Sequence, residues 1–194
     1  MARREYRSAI RSRQLIRDAF YQLLQDKTLE QITVTEIVKR ADINRSTFYA
    51  HYEDIWSLIN EIQQEIITHI MGVLEEMKYT NIFRDPLPFL LDVGEQLKVN
   101  RVLFKQLHGT KYARHQLQGF ARLFVDHALK SPDLPEEIRS SHSFQTRIDI
   151  FVGGIISVYQ EWVMGYLDCS IETISQEGAR VIHLVITDML GPME

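Results

Sequence analysis

The feature that most limits the fold of this chain is an apolar spacing of three and four residues that recurs along most of its length. One such stripe lies near the N-terminus and consists of Leu15, Ile16, Ala19, Phe20, Leu23 and Leu24. A longer stripe runs through residues 55–77. This spacing places apolar side chains on one face of an α-helix, and no alternating strand pattern with a hairpin turn accompanies it. The sequence therefore predicts an all-α fold.

The helix pattern also predicts how the chain is divided. Helices are expected at residues 8–26, 34–41, 45–51, 54–78, 86–99, 101–108, 111–130, 136–167 and 171–190, about nine in all. The proline-bearing segments 79–88 and 130–137 are interpreted as connections. We therefore expect an N-terminal three-helix domain, residues 1–53, followed by a larger helical domain, residues 54–194.

Composition limits the class of protein. Of 194 residues, 45% are hydrophobic and 25% are charged, which is typical of a globular chain with a buried core. Cys169 is the single cysteine, so no disulfide forms within the chain. The basic N-terminus lacks the apolar run of a signal peptide, and no segment approaches the roughly 20 apolar residues that cross a bilayer. These features predict a cytoplasmic protein without membrane contact.

Charge is distributed unevenly along the chain. The net charge is −4, but residues 1–52 hold ten Lys and Arg against six Asp and Glu, and the remainder holds twelve against twenty. Such asymmetry suggests a basic module that contacts an anion, attached to an acidic body that does not. A solvated charged arm is the alternative interpretation.

Residues 33–52, TVTEIVKRADINRSTFYAHY, have the pattern of two short helices with a tight turn between them. Thr33 and Glu36 have the spacing of a capping box, which starts the first helix. Asp42 stands where the chain reverses, and aspartate tolerates a left-handed backbone better than most residues. Asn44 is expected to cap the second helix by accepting from the amide of residue 46 or 47.

The second of these helices is expected to have an apolar inner face and a polar outer one. Phe48 and Tyr52 are four residues apart and so share the inner face. The outer surface carries Arg45, Ser46, Thr47, Tyr49, Ala50 and His51. This is the anatomy of a helix-turn-helix, whose second helix enters the major groove: Arg45 suits guanine or phosphate, and Tyr49 and His51 suit phosphate oxygens. An ordinary polar helix on the surface of a bundle remains the alternative.

Residues 32–59, ITVTEIVKRADINRSTFYAHYEDIWSLI, resemble the DNA-binding domain of the tetracycline-repressor (TetR) family, and the resemblance covers roughly residues 16–59. It implies that Thr35 and residues 45–47 lie near bases and that Tyr49 and His51 bind phosphates. The complete predicted DNA-binding set is Thr33, Thr35, Asn44, Arg45, Ser46, Thr47, Tyr49 and His51. The implied partner is a double-stranded, palindromic operator.

The sequence departs from the family pattern at two positions, of which the first is tolerated and the second removes one expected phosphate contact. The turn has Asp42 where the family usually has glycine, and Ile55 stands where it usually has a phosphate-binding lysine. Glu53 and Asp54 add local repulsion of phosphate. A basic arm is predicted to compensate by reaching the backbone or minor groove, and it consists of Arg3, Arg4, Arg7, Arg11 and Arg13.

The acidic body shows no catalytic constellation. His108 and His115 are seven residues apart, and neither has a carboxylate or cysteine at metal-ligand spacing. The segment FVGGIIS lacks the third glycine and the strand context of a dinucleotide fingerprint. We therefore expect no enzyme activity, no metal and no cofactor.

The last two predicted helices suggest a homodimer. Gly153 and Gly154 destabilise a helix because glycine has a low helix propensity. Such a cost is most readily accepted where another helix or a ligand must come close. The TetR resemblance implies dimerisation through these helices, and two-fold symmetry would place two reading helices on successive turns of the groove. The predicted dimer residues are Phe151, Gly153, Gly154, Ile155, Val181, Val185 and Met189. Packing within one monomer is the alternative.

Residues 100–109, 111–124 and 151–167 also resemble the body of a TetR subgroup found among regulators linked to dihydroxyacetone-kinase operons. Some members of that subgroup act as activators or coactivators, and the resemblance implies no fixed ligand. For an unknown small-molecule effector, the candidate residues are Phe104, Leu107, His108, Tyr112, Phe120, Phe124, Tyr159 and Trp162.

The leading hypothesis is an effector-released repressor; the alternatives are a coactivator that docks proteins on its body and an all-α ligand carrier without DNA binding.

Overall fold

The computed structural model describes the backbone of residues 2–190 and the side chains of residues 8–110 and 117–187. Across residues 2–190 the ordered elements are helices and no strand is present, so the predicted all-α class is confirmed. The helices are α1 (Ala2–Asp26), α2 (Val34–Arg40), α3 (Arg45–Tyr49), α4 (Ile55–Met77), α5 (Tyr79–Arg84), α6 (Leu87–Val99), α7 (Arg101–Leu107), α8 (Lys111–Lys130), α9 (Glu136–Arg139), α10 (His142–Met164) and α11 (Ile171–Leu190). A 3-10 turn, Leu29–Gln31, precedes α2.

Three segments differ from the predicted helix map, the first being α1, which begins at Ala2 rather than at residue 8. The segment 79–88, expected to be a connection, contains α5, which forms because Tyr79, Ile82 and Phe83 are buried in the core. The helix expected at 136–167 is divided between α9 and α10. Ser141 starts α10 by accepting from the Phe144 amide, and a left-handed glycine, Gly165, ends it.

The chain forms two compact units, Met1–Glu65 and Ile66–Glu194, and α4 contributes residues to both. The predicted boundary between two domains at residues 53 and 54 stays a prediction. In the N-terminal unit, the predicted stripe of α1 is buried except for Leu15, α1 contacts α2 and α3, and the following three helices also have buried residues. Those residues are Ile37, Val38, Phe48, Leu58, Ile59 and Ile62.

The C-terminal unit has its own core, to which α4, α5, α6, α8, α10 and α11 contribute. Glycine permits the close approach of α6 and α11: a Cβ at Gly94 would lie 2.8 Å from Ile171 Cγ1. Ser175 is fully buried at this contact, and its hydroxyl lies 3.1 Å from the Leu90 carbonyl oxygen. Among the described residues, no helix has both the length and the apolar character needed to cross a membrane.

Candidate nucleic-acid interface

The first helix of the candidate reading motif, α2, starts with the predicted capping box. The Glu36 amide donates to Thr33 Oγ1 over 3.3 Å, and Glu36 Oε2 accepts from the Thr33 amide over 3.0 Å. Glu36 also pairs with Lys27. These contacts, led by the Lys27 hydrogen bond, lower the pKa of Glu36 to about 2. The capping box and the ion pair therefore fix where α2 begins.

The turn between α2 and α3 has the predicted left-handed residue. Asp42 has φ +52°, and the Ile43 amide donates to the Val38 carbonyl oxygen over 3.1 Å. The expected side-chain cap of α3 is wrong, because the Asn44 side chain makes no capping hydrogen bond. Its backbone carbonyl instead accepts from the Thr47 amide, 3.0 Å away, and the Phe48 amide, 3.3 Å away. The Thr47 and Phe48 amides therefore donate to the backbone of Asn44 rather than to its side chain.

The two faces of α3 differ as the spacing predicts. Phe48 is fully buried and Tyr52, just beyond the helix, is 3% exposed; the Tyr52 hydroxyl donates to Glu61 Oε1 over 2.5 Å. On the opposite side Arg45 and Ser46 are exposed and Tyr49 is 55% exposed. The outward face of α3 is therefore polar and exposed, and the buried aromatic rings of Phe48 and Tyr52 anchor the opposite face in the core.

A side-chain contact joins the two helices on their exposed side. Nη2 of Arg45 donates a hydrogen bond to Oγ1 of Thr35. Both side chains are exposed, as is Asn44, and Thr47 is half-buried. The predicted DNA-binding residues from α2 and α3 thus share one surface, and two of them are in direct contact.

His51 is less exposed than expected for a residue that binds phosphate at the protein surface. It is half-buried, and its Nε2 lies 2.7 Å from Ser12 Oγ of α1. The same hydroxyl lies 3.0 Å from the Ala9 carbonyl oxygen. Burial, followed by the nearby Arg13 charge, lowers the pKa of His51. Sequence reasoning missed Ser12, because its 39-residue separation from His51 leaves no local signal.

One of the two acidic residues before α4 caps that helix. Asp54 Oδ1 accepts from the Ser57 amide over 2.8 Å at the start of α4. Ile55 follows and is half-buried. The Asp54 carboxylate therefore caps the first turn of α4, and the three-residue spacing of Asp54 and Ser57 is a local sequence signal for this cap.

The candidate effector residues do not form one uniform group. Tyr159 and Trp162 are buried with internal partners: the Tyr159 hydroxyl donates to the Leu90 carbonyl oxygen over 2.8 Å, and Trp162 Nε1 donates to the Cys169 carbonyl oxygen over 3.0 Å. Leu107 is buried, His108 is exposed, and Phe104, Phe120 and Phe124 are half-buried against the core. The side chain of Tyr112 lies outside the described part. The effector site stays a prediction.

The candidate dimer residues include an open face of α10. Apart from its chain neighbours and the nearby backbone of α10 itself, no atom of the described residues lies within 4 Å of a Cβ placed on Gly153 or Gly154. Val181 is 51% exposed, Phe151, Ile155 and Val185 are half-buried, and the Met189 side chain lies outside the described part. Three exposed apolar residues near these positions were not predicted: Ile150, Val158 and Leu184.

No family model matches the chain, and the proteins to which it is similar include the following two. The chain is 31% identical over 51 residues to an uncharacterized HTH-type transcriptional regulator, YxbF, of Bacillus subtilis (strain 168); the match covers 26% of this chain and only 13% of that protein. Its fold is similar to that of the dihydroxyacetone kinase operon activator DhaS, with a TM-score of 0.61 at 18% identity over 91% of this chain and 97% of the other. The first match relates a quarter of the chain to a transcriptional regulator, and the second establishes a shared helical fold.

Proposed function

We propose that this protein is a DNA-binding transcriptional regulator of the TetR type, which binds a palindromic operator as a homodimer. The observation that carries the proposal is the α2–α3 motif. Polar and basic residues of α3 face outward, while Phe48 and Tyr52 are buried on the opposite side. The match to an HTH-type regulator supports the same class of protein. An enzyme would need an acid–base pair or nucleophile, for which the sequence gives no candidate.

In the proposed complex, α3 enters the major groove, and the side chains on α3 and just after it have separate roles. Arg45 donates to guanine, since arginine matches the O6 and N7 acceptors in a bidentate geometry. Tyr49 and His51 contact phosphates and fix the register without reading sequence. Ser46 and Thr47 are small enough to let the backbone of α3 approach the groove.

A dimer is proposed because one five-residue helix contacts too little DNA for specific binding. Ile150 and Leu184, exposed by 70% and 69%, are apolar side chains that gain most from contact with a second chain. Gly153 and Gly154 have nothing packed on them within the described chain, so a close-approaching partner helix would explain them. Two copies related by a two-fold axis would place their α3 helices about 34–36 Å apart.

An effector is proposed to act by changing the spacing of the two reading helices, so that they no longer fit successive turns of the groove. Helix α4 is the candidate coupling element, because its residues belong to both units. In this form the protein is a repressor. A coactivator that docks another protein on its helical body is the second candidate, favoured by the fold shared with an operon activator.

The proposal is tested by selecting bound sequences from random duplex DNA and titrating the enriched duplex at several salt concentrations. A regulator enriches an inverted repeat and loses affinity steeply as salt rises, because phosphate contacts release counterions. Arg45→Ala should relax the preference for one base, while Tyr49→Ala should weaken all sequences alike. Absence of enrichment even in dilute salt would favour the ligand-carrier alternative and remove the proposal.

A further inference from the structure

The hydrogen bond between Arg45 and Thr35 has the form of a positioning contact. Arg45 is the first residue of α3 and Thr35 lies in the first turn of α2, and the guanidinium of one donates to the hydroxyl of the other. Both side chains are exposed on the candidate reading surface. The bond is therefore not part of the core, and it restrains a long side chain that would otherwise move freely in water.

Because its hydrogen-bond partner, the Thr35 hydroxyl, is neutral, Arg45 keeps its positive charge uncompensated. Elsewhere in the same unit, Lys27 pairs with the carboxylate of Glu36, and Arg17 pairs with that of Glu65. Among the ion pairs of the described residues, none involves Arg45, whose partner is a neutral hydroxyl. A neutral acceptor orients the guanidinium without cancelling the positive charge that an anion or a guanine edge attracts.

The geometry of the two groups leaves donors available to DNA. A guanidinium is planar and carries five N–H donors, so fixing one of them restrains the plane and leaves the others for a base edge. A hydroxyl that accepts a hydrogen bond still has its own proton, which suits a phosphate oxygen. Restraining the arginine before binding also reduces the entropy lost on binding.

We propose that Thr35 is a positioning residue for Arg45, so that the base preference of the protein at the position read by Arg45 depends on the Thr35 hydroxyl. This inference rests on the proposed DNA-binding function. It differs from treating the two residues as separate DNA contacts, because it predicts that their effects on base preference are coupled.

The test is a selection of bound duplexes from random DNA with the full chain and four variants: Thr35→Val, Thr35→Ser, Arg45→Ala and Thr35→Val/Arg45→Ala. Arg45→Ala should lower discrimination at one position of each half-site by about tenfold or more. Thr35→Val should lower discrimination at that same position by about three- to tenfold, because one hydrogen bond to a charged group is lost. Thr35→Ser should keep the wild-type preference, and the double variant should match Arg45→Ala.

Thr68→Val is the matched control, since it makes the same replacement at an exposed position of α4. It should leave base preference unchanged, and thermal unfolding should show that Thr35→Val still folds. Unchanged base preference in Thr35→Val, alongside a relaxed preference in Arg45→Ala, would overturn the positioning role while leaving the proposed function intact. Failure of the wild-type protein to enrich any duplex would overturn the proposed function itself.

Discussion

The outward faces of α3 and of the α10–α11 region follow the same helical spacing but expose opposite chemistry. Around α3, the exposed residues include Arg45, Ser46 and Tyr49, and the apolar residues point inward. On α10 and α11, Ile150 and Leu184 are exposed although each unit already has a buried core. Burial of a stripe therefore identifies the inner side of a helix, whereas the proposed partners, a charged polymer for α3 and an apolar surface for α10–α11, are argued from the residues that stay exposed.

The largest expected effect separates the inner from the outer side of α3. Phe48→Ala removes a fully buried ring and should lower the free energy of unfolding of the N-terminal unit by about 3–5 kcal/mol. Tyr49→Ala, one residue later and 55% exposed, should change stability by less than about 0.5 kcal/mol. Denaturant unfolding followed by circular dichroism measures both, and similar losses in the two variants would contradict the assigned faces.

The second effect tests whether the apolar face of α11 meets another chain. Leu184→Asp would place unpaired charges inside the proposed interface and should raise the dimer dissociation constant at least about a hundredfold. Val99→Asp is the matched control, because Val99 is also 69% exposed but lies at the end of α6. Sedimentation equilibrium distinguishes the two; equal dissociation constants would argue against this face as the interface.

The third effect compares an alanine substitution at a glycine that has close neighbours in another helix with one at a glycine that has none. Both substitutions are made in the Leu184→Asp background, which keeps the protein monomeric. Gly94→Ala places a Cβ 2.8 Å from Ile171 Cγ1 and should cost about 1–3 kcal/mol of stability. Gly153→Ala meets no atom of another helix within 4 Å in the described residues and should gain about 0.5–1 kcal/mol from helix propensity. Thermal unfolding reports both signs, and a loss in Gly153→Ala would show that something packs there within the monomer.

The smallest expected effect is a pH dependence of DNA affinity that arises from His51. Its pKa is lowered in the free protein by burial and by Arg13, while Glu61 opposes the shift. A phosphate nearby would raise that pKa, so binding would take up a proton and affinity would fall as pH rises through the range between the two values.

Fluorescence anisotropy at constant salt should show affinity about two- to fivefold higher at pH 6 than at pH 8. His51→Gln, which keeps a hydrogen-bonding side chain but does not titrate, should flatten this dependence. An equal pH slope in the two proteins would remove His51 as a phosphate contact. Stability has the opposite dependence: because folding lowers the pKa of His51, its contribution weakens as pH falls below the ordinary value of 6.5.

The all-α class, the capping box at Thr33 and the left-handed Asp42 were predictable because each depends on neighbours within a few residues. Local spacing also predicted the buried positions of Phe48 and Tyr52. The Asn44 cap was wrong: the Asn44 backbone carbonyl accepts from the Thr47 and Phe48 amides, and its side chain does not. The segment with α5 was mistaken for a connection because flanking prolines outweighed three apolar residues that only the distant core stabilises.

Contacts between residues far apart in sequence could not be predicted. Ser12 with His51 and Tyr159 with Ser175 depend on how helices cross, which periodicity does not determine. The exposure of Ile150 and Leu184 was also missed, since an apolar residue at helical spacing is read as core unless the packing is known. The candidate effector residues show the same limit: Tyr159 and Trp162 already have partners within the fold.

The central claim is that two copies of this chain present paired reading helices to one DNA duplex, and the most direct test is the composition of the complex. Multi-angle light scattering of the protein on its selected duplex should give two chains per duplex, and the duplex should contain an inverted repeat with half-site centres about 10 base pairs apart, or a multiple of that separation. One chain on a single, asymmetric half-site would contradict the claim.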